Sequence, residues 1–355
     1  MGRSRNGHNG VLLEVTSTSL ADNGPAEPLN AGDEARQLMP PPAHPEDRPE
    51  NKMQLSSPLA EAGRAELYKQ LQKLEKAQKD VEERQDPEAI HDMRVASRRL
   101  RTALKILQAT VADPKVTGYY RKGLHRLTDT LSQVRDTDVR IEHLEKYQTA
   151  HPEHSDGLQP LAHSLHQERD QALLRLTKTL HKHKVQRLLH DLEQFVKKPS
   201  AGGLKFEKDP YAVSPTLVRH FVRSQIWQGY EAVLAYETVL AVPTAVSVIT
   251  LHRLRIAFKH LRYTLEFFQD ALPDTAEGLV AQLTEMQNYL GDLHDHDVAV
   301  TESDQVLANQ EATSSLRTYR DERASQRDQL QLDFLPKWAK INSPAFRQKL
   351  SGLLK

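Results

Sequence analysis

Two stretches of this chain repeat one another, and that repetition restricts the fold more than any other feature. Ile90 to Gln108 (IHDMRVASRRLRTALKILQ) aligns without gaps on Leu251 to Gln269 (LHRLRIAFKHLRYTLEFFQ), at an offset of 161 residues. A second pair, Leu127 to Val139 (LTDTLSQVRDTDV) and Met286 to Val298 (MQNYLGDLHDHDV), follows at an offset of 159. Two blocks in the same order at nearly the same spacing mean duplication of a helical unit of about four helices.

From Pro58 onward the chain runs in long segments of 3.6-residue period with almost no glycine. Gly/Pro punctuation falls at Asp86-Pro87, Asp113-Pro114, His151-Pro152 with Gly157, Pro243, Pro273 with Gly278, and Gly291. No β-branched alternating run argues for a sheet, so the expected class is all-α. Residues 198–215 (KPSAGGLKFEKDPYAVSP) read as a linker between a first repeat, about 55–197, and a second, about 216–355. Residues 1–52 hold seven of the nineteen prolines and few aliphatics, a composition that buries too little surface to offset chain entropy. They are expected to form a disordered tail ahead of a helical domain spanning 53–355.

Lys+Arg and Asp+Glu balance at 48 each, so net charge names no partner and the distribution of charge has to. The absence of cysteine excludes thiolate nucleophiles, Cys-ligated zinc and disulfides, and suits a reducing compartment. The apolar run Val11-Leu12-Leu13 is too short for a signal-peptide core, and no stretch approaches the roughly 18–20 apolar residues that span a bilayer. The expectation is a soluble cytoplasmic protein with no membrane partner.

The charge is concentrated on the repeated helix. Asp86-Pro87-Glu88 suits a helix start, with Asp as cap, Pro in the first turn and Glu at the positive end of the dipole. With His91 at zero, Arg98 falls at about −20°, Lys105 at −40°, Arg94 at −60° and Arg101 at −80°. Met93, Ala96, Leu100, Ala103, Leu104 and Leu107 take the opposite side, and Arg99 lies off the stripe. In the second copy His252, Arg255, Lys259 and Arg262 occupy the same angles, while Glu266 replaces Lys105; Leu254, Ala257, Leu261, Leu265 and Phe268 supply the apolar side. Like charges at these spacings repel by a few tenths of a kcal/mol per pair in isolated helices. A sequence built for stability alone would intersperse glutamates, as Leu71 to Arg84 does with Glu75, Glu82 and Glu83. The bland alternative is that acidic residues of neighbouring helices neutralise the stripe. Arginine suits phosphate because its planar fork donates two parallel hydrogen bonds and stays charged, and histidine adds a pH-dependent donor.

HDMRVASRRLR and LHRLRIAFKHLRY, each followed by Asp-x-Asp-Val (Asp136 to Val139 and Asp295 to Val298), closely resemble the CHAD domain. The resemblance covers roughly residues 55–353. It implies two four-helix bundles related by a pseudo-twofold axis, with the histidine-bearing helices lining a basic central groove or pore. It also implies inorganic polyphosphate as ligand and association with polyphosphate granules. The family's histidines map onto His91 and His252, and its basic face onto Arg94, Arg98, Arg101, Arg255, Lys259 and Arg262. CHAD domains often follow a CYTH triphosphate-handling domain; here a stand-alone form is expected.

Other groups were weighed beside these. Arg169 and Arg323, each following a Glu in the last long helix of its half, are expected to reach the groove. Arg64, Arg219 and Arg223 on the opening helices are weaker candidates of the same type. His294-Asp295-His296-Asp297 suggests a metal, but the first repeat replaces both histidines with Arg135 and Thr137. The shared Asp pair reads better as an N-cap or as a partner for arginines. His181, His183 and His190 read as the solvated face of one basic helix. Basic residues are not interleaved with aromatics as single-stranded nucleic acid would favour. The expected function is therefore non-enzymatic binding of polyphosphate, with no metal or cofactor; a nucleic-acid binder comes second and a metal-dependent phosphohydrolase third.

Overall fold

A computed structural model of the chain describes residues 52–84, 86–108, 114–197, 217–242, 246–309 and 313–354. The expected linker, and the expected tail up to residue 51, lie outside the described residues. Helices α1 (Leu59–Arg84), α2 (Pro87–Leu107), α3 (Pro114–Ala150), α4 (Gln159–Leu180) and α5 (His183–Lys197) belong to the first repeat. The second holds α6 (Val218–Leu234), α7 (Val248–Phe267), α8 (Thr275–Asn309), α9 (Ser314–Leu332), α10 (Phe334–Ile341) and α11 (Pro344–Gly352). The fold is all-α, and among the described residues the one β-type contact is an isolated bridge between Pro58 and Leu217, which ties together the segments preceding α1 and α6.

Both repeats pack in the same order. α1 lies on α2, α2 on α3 and α3 on α4, as α6 lies on α7, α7 on α8 and α8 on α9. The fourth helix of the first repeat breaks at His181-Lys182, so the one basic helix expected to carry His181, His183 and His190 is in fact two. His181 closes α4: its backbone N–H bonds to the Thr177 carbonyl, the next N–H, of Lys182, bonds to that of Thr179, and the His181 ring Nδ1 lies 2.8 Å from the Thr177 oxygen.

Local chemistry sets the start of each basic helix. Asp86 Oδ1 accepts from the Glu88 N–H at 3.0 Å with Pro87 in the first turn, and Ser247 accepts from the Thr250 N–H at 3.2 Å. The apolar face of α2 is buried as its period requires, with Met93, Leu100 and Leu104 fully enclosed. Leu254, Phe258, Leu261, Leu265 and Phe268 are equally enclosed on α7, and one apolar core runs through both repeats. Within that core buried Ser97 bonds Thr128 at 3.0 Å.

The Asp motifs are not at helix starts. α3 runs 37 residues straight through Asp136 and Asp138, and α8 runs 35 residues through Asp295, Asp297, Gly278 and Gly291. The N-cap reading is thus corrected. Asp disfavours a helix interior by only about half a kcal/mol, less than the pairing these side chains gain with arginines.

The long hairpins meet a second time at their tips. Ile141, Leu144, Tyr147, Leu158, Leu161 and Leu165 of the first repeat enclose a small separate core with Leu316 and Tyr319 of the second. Thr313 Oγ1 donates to the Gly157 carbonyl at 2.7 Å, an approach a side chain at position 157 would obstruct. Phe258→Ala should lower the unfolding free energy by about 3–5 kcal/mol in urea titration. Leu316→Ala should instead deprotect amides of Leu158–Leu165 in hydrogen exchange while α2 and α7 stay protected.

Candidate functional site

The two basic helices touch each other. At their crossing the Arg98 and Arg262 guanidinium groups lie 5.2 and 5.0 Å from the centre of the Tyr263 ring, within cation–π range. Lys259 faces Arg98, Arg255 and Arg94, and burial together with those three charges pulls its ammonium down to about 7. Arg98 is depressed to about 10, by burial first and then by Arg94, Arg262 and Arg255 against the favourable Tyr263. Burial also lowers Arg94 and Arg101. Arg98 and Lys259 are each other's counterparts in the repeat, so the crossing sits at the point where like meets like.

On either side of the crossing the pairings follow the duplication. Arg99 and His260 are counterparts, as are Glu266 and Lys105. Arg99 Nη2 reaches Glu266 across the repeats at 3.7 Å, and Glu266 also lies 3.4 Å from Arg262 Nε. On the opposite flank His260 meets Lys105, Lys259, Arg101 and Arg98; crowding by protein, then those charges, draws its ring down to about 4 although part of it stays open to solvent.

His91 and His252 are half-buried at the starts of the stripes, and the Nδ1 of each is enclosed without a hydrogen-bond partner. Both are lowered, by burial first, then by Arg94 and Arg135 for His91 and by Arg255 and Lys259 for His252. His252 lies 4.5 Å from His294, the rings tilted by 45°, and burial and then its cationic neighbours lower His294 as well.

Carboxylates of α3 and α8 reach the outer part of the stripes. Asp136 lies 3.7 Å from Arg94, and Asp295, raised by burial, feels Arg255. The bland expectation of a neutralised stripe holds there. It fails at the crossing, where no carboxylate among the described residues comes within ion-pair distance of Arg98 or Lys259.

Arg169 and Arg323 make their contacts in the long hairpins. Arg169 Nε donates to buried Asp138 at 2.7 Å and lines a cavity of about 370 Å³ with Pro87, Arg135 and His166. Arg323 stacks at 5.0 Å on both Tyr147 and Tyr319. The two are not equivalent: the partner of Asp297 is Arg327, at 3.3 Å. Arg64 is buried on Glu61 and the Val196 carbonyl, where it ties α1 to the end of α5, while Arg219 and Arg223 are exposed on α6.

The histidines of the Asp motif do not converge on one point: His294 turns to His252, and His296, held down to about 4 by burial, faces Arg323 and His143. Among the described residues, the group that brings three ligand atoms within 4.8 Å of one another is His151, Glu153 and His154, on the turn between α3 and α4. Sequence reading passed over it.

The family model for the CHAD domain matches residues 65–302. This chain belongs to the CHAD family. Its fold is similar to the crystal structure of the CHAD domain from the plant Ricinus communis, with TM-score 0.65 and 23% identity over 83% of this chain and 95% of that one. It is also similar to PptA from Streptomyces chartreusis, with TM-score 0.58 and 16% identity over 79% and 99% of the two chains. A search of the curated proteins finds no match.

Within this CHAD domain, Tyr263, His260 and the bridging role of Glu266 escaped sequence reading because each acts on the other repeat. Gly291 had a signal, an isolated glycine inside a periodic segment. A Cβ there would meet Arg255 Nη2 at 3.2 Å, so glycine lets the guanidinium lie against α8.

The crossing works against stability. A base depressed in the folded state binds fewer protons than in the unfolded chain, so Lys259 makes stability rise with pH from about 7 towards the ordinary lysine range. Lys259→Met should raise neutral-pH stability by about 1–2 kcal/mol, as replacing a buried charge by an apolar isostere does. It should also flatten that rise in chemical denaturation between about pH 7 and 10.

Proposed function

We propose that this CHAD domain binds inorganic polyphosphate across the crossing of α2 and α7, in a basic groove formed by His91, Arg94, Arg98, Arg101, Lys105, His252, Arg255, Lys259 and Arg262, and that it does no chemistry on it. The observation that carries the reading is the pair of cations at the crossing, Arg98 and Lys259, which no carboxylate of the described residues approaches within ion-pair distance and whose charged forms burial and like charge disfavour. A densely anionic ligand supplies what is missing, because each phosphate accepts charge-assisted hydrogen bonds from arginine and restores the field that favours a charged lysine. The CHAD family is linked to polyphosphate binding in general.

Single-stranded nucleic acid offers the same backbone charge but needs open aromatic faces. Tyr263 is engaged by two guanidinium groups instead. Arg169 and Arg323 support the groove from behind in this reading, one through Asp138 and the other through two tyrosines. A cytoplasmic protein at polyphosphate granules is the corresponding cellular expectation.

Affinity for long-chain polyphosphate should fall linearly in log–log plots against salt as counterions are released. Replacing Arg94, Arg98 and Arg101 together by Ala should cost several kcal/mol, at ~1.5–3 per charge-assisted bond. Unchanged affinity would reject the site. Release of orthophosphate from polyphosphate by the purified protein, with or without divalent metal, would overturn the non-enzymatic reading.

Binding should also take up protons. A bound anion lifts Lys259 above its free value of about 7, so affinity should tighten from about pH 8.5 towards about pH 6 and weaken as pH rises through the bound value. Lys259→Met should remove most of that slope near neutrality. His91→Ala/His252→Ala should affect chiefly the acidic end, since both rings start below the ordinary histidine value.

A further inference from the structure

The duplication makes the two flanks of the crossing counterparts, yet they carry different charge. On one flank Glu266 sits between Arg99 and Arg262, at 3.7 and 3.4 Å, so a single carboxylate answers two guanidinium groups. Beyond it the counterpart positions on α8 are Val280 and Thr284, which bring no cation, and Thr284 Oγ1 takes a weak bond from Arg262 at 3.5 Å.

The other flank has Lys105 where Glu266 stands, Arg101 where Arg262 stands and Arg121 where Val280 stands. Arg101 and Arg121 are close enough that each charge is felt by the other, and Arg121 Nη1 donates to Gln108 Oε1 at 2.7 Å, which holds it beside the end of α2. Lys105 is exposed. The acidic group on this side is Asp129, which favours charged Arg101 but lies 2.8 Å from His125 Nδ1 and is itself open to solvent. Among the described residues, no carboxylate is within ion-pair distance of Lys105 or Arg121. His260, in the place of Arg99, is held down to about 4, by burial first and then by the cations around it.

We propose that Arg101, Lys105, Arg121 and His260 form an extension subsite for phosphates beyond those held at the crossing, and that Glu266 closes the equivalent flank. This rests on the polyphosphate reading above and deepens it. A ligand short enough to occupy the crossing alone meets neither flank. A long chain gains further contacts over the Lys105 flank, because on the other a carboxylate already engages both guanidinium groups. The site is thereby polarised although the scaffold is a duplication and the ligand has no direction of its own. A phosphate seated beside His260 would also reverse the field that keeps this ring neutral, adding a donor as the chain arrives.

The test compares tripolyphosphate with long-chain polyphosphate on the full chain by calorimetry at several salt concentrations. The readout is the ratio of the two affinities. Arg121→Ala should weaken long-chain binding about threefold, make its salt slope shallower by about 1, and leave tripolyphosphate within about twofold. Lys105→Glu alone, at an exposed position, should move the ratio in the same direction. Glu266→Gln should move it the other way, since a second flank opens. A ratio unchanged in all three variants, with wild type binding both ligands, would overturn the subsite and leave the crossing intact as the site. Parallel loss of both ligands in Arg121→Ala would also overturn it, because that cation would then belong to the crossing. Wild-type protein that binds neither ligand would overturn the polyphosphate reading itself.

Discussion

Two helices of like charge are pressed together at Arg98 and Lys259, and the rest of the protein opposes that repulsion. The apolar faces behind them supply the opposing force. Leu100 and Leu104 on α2, and Phe258 and Leu261 on α7, are fully enclosed, each worth about 1.5–3 kcal/mol of burial. Repulsion between neighbouring cations on one helix is a few tenths of a kcal/mol, and the larger cost is taking Lys259 out of water. Burial and three arginines depress the lysine to about 7, with only Asp136 opposing them from beyond ion-pair distance.

Acidic residues are kept at a distance that matters. Asp136 pairs with Arg94 near one histidine end, Asp295 feels Arg255 near the other, and Glu266 reaches Arg99 and Arg262 near one far end. Among the described residues none comes within ion-pair distance of Arg98 or Lys259. Had the Asp pairs capped helices, their carboxylates would have been spent on backbone N–H groups. Placed two residues apart inside continuous helices, they orient arginines instead: Asp138 holds Arg169 and Asp297 holds Arg327.

The repeat, the helical class and the two basic stripes were legible because they follow from period and alignment, which are local properties of a chain. The cap at Asp86 was legible for the same reason. What could not be read was which residues meet across the repeats. Tyr263 aligns with Thr102 and looks like an ordinary helix residue until Arg98 and Arg262 close on it. His260 lies off the stripe by angle yet faces Lys105, since the partner helix decides its surroundings. Pairing Arg323 with Arg169 by the preceding Glu failed because the fourth helices are offset differently, and Arg327 takes the role. Gly291 was mistaken for a break because a glycine that admits a neighbour's side chain and one that ends a helix look alike in one sequence.

The contact between the hairpin tips bears on what the ligand has to do. The repeats are joined at the main core and again where Leu316 and Tyr319 pack against Leu158 and Leu165. A body fastened at two separated places has no free hinge between its halves. The cations of α2 and α7 are therefore held at fixed intervals, about 5–6 Å between successive members along each helix. Such a surface acts as a ruler of set pitch. The flexible partner must bring its own repeating charges into register with it, and the entropy lost on association falls on the ligand rather than on the protein.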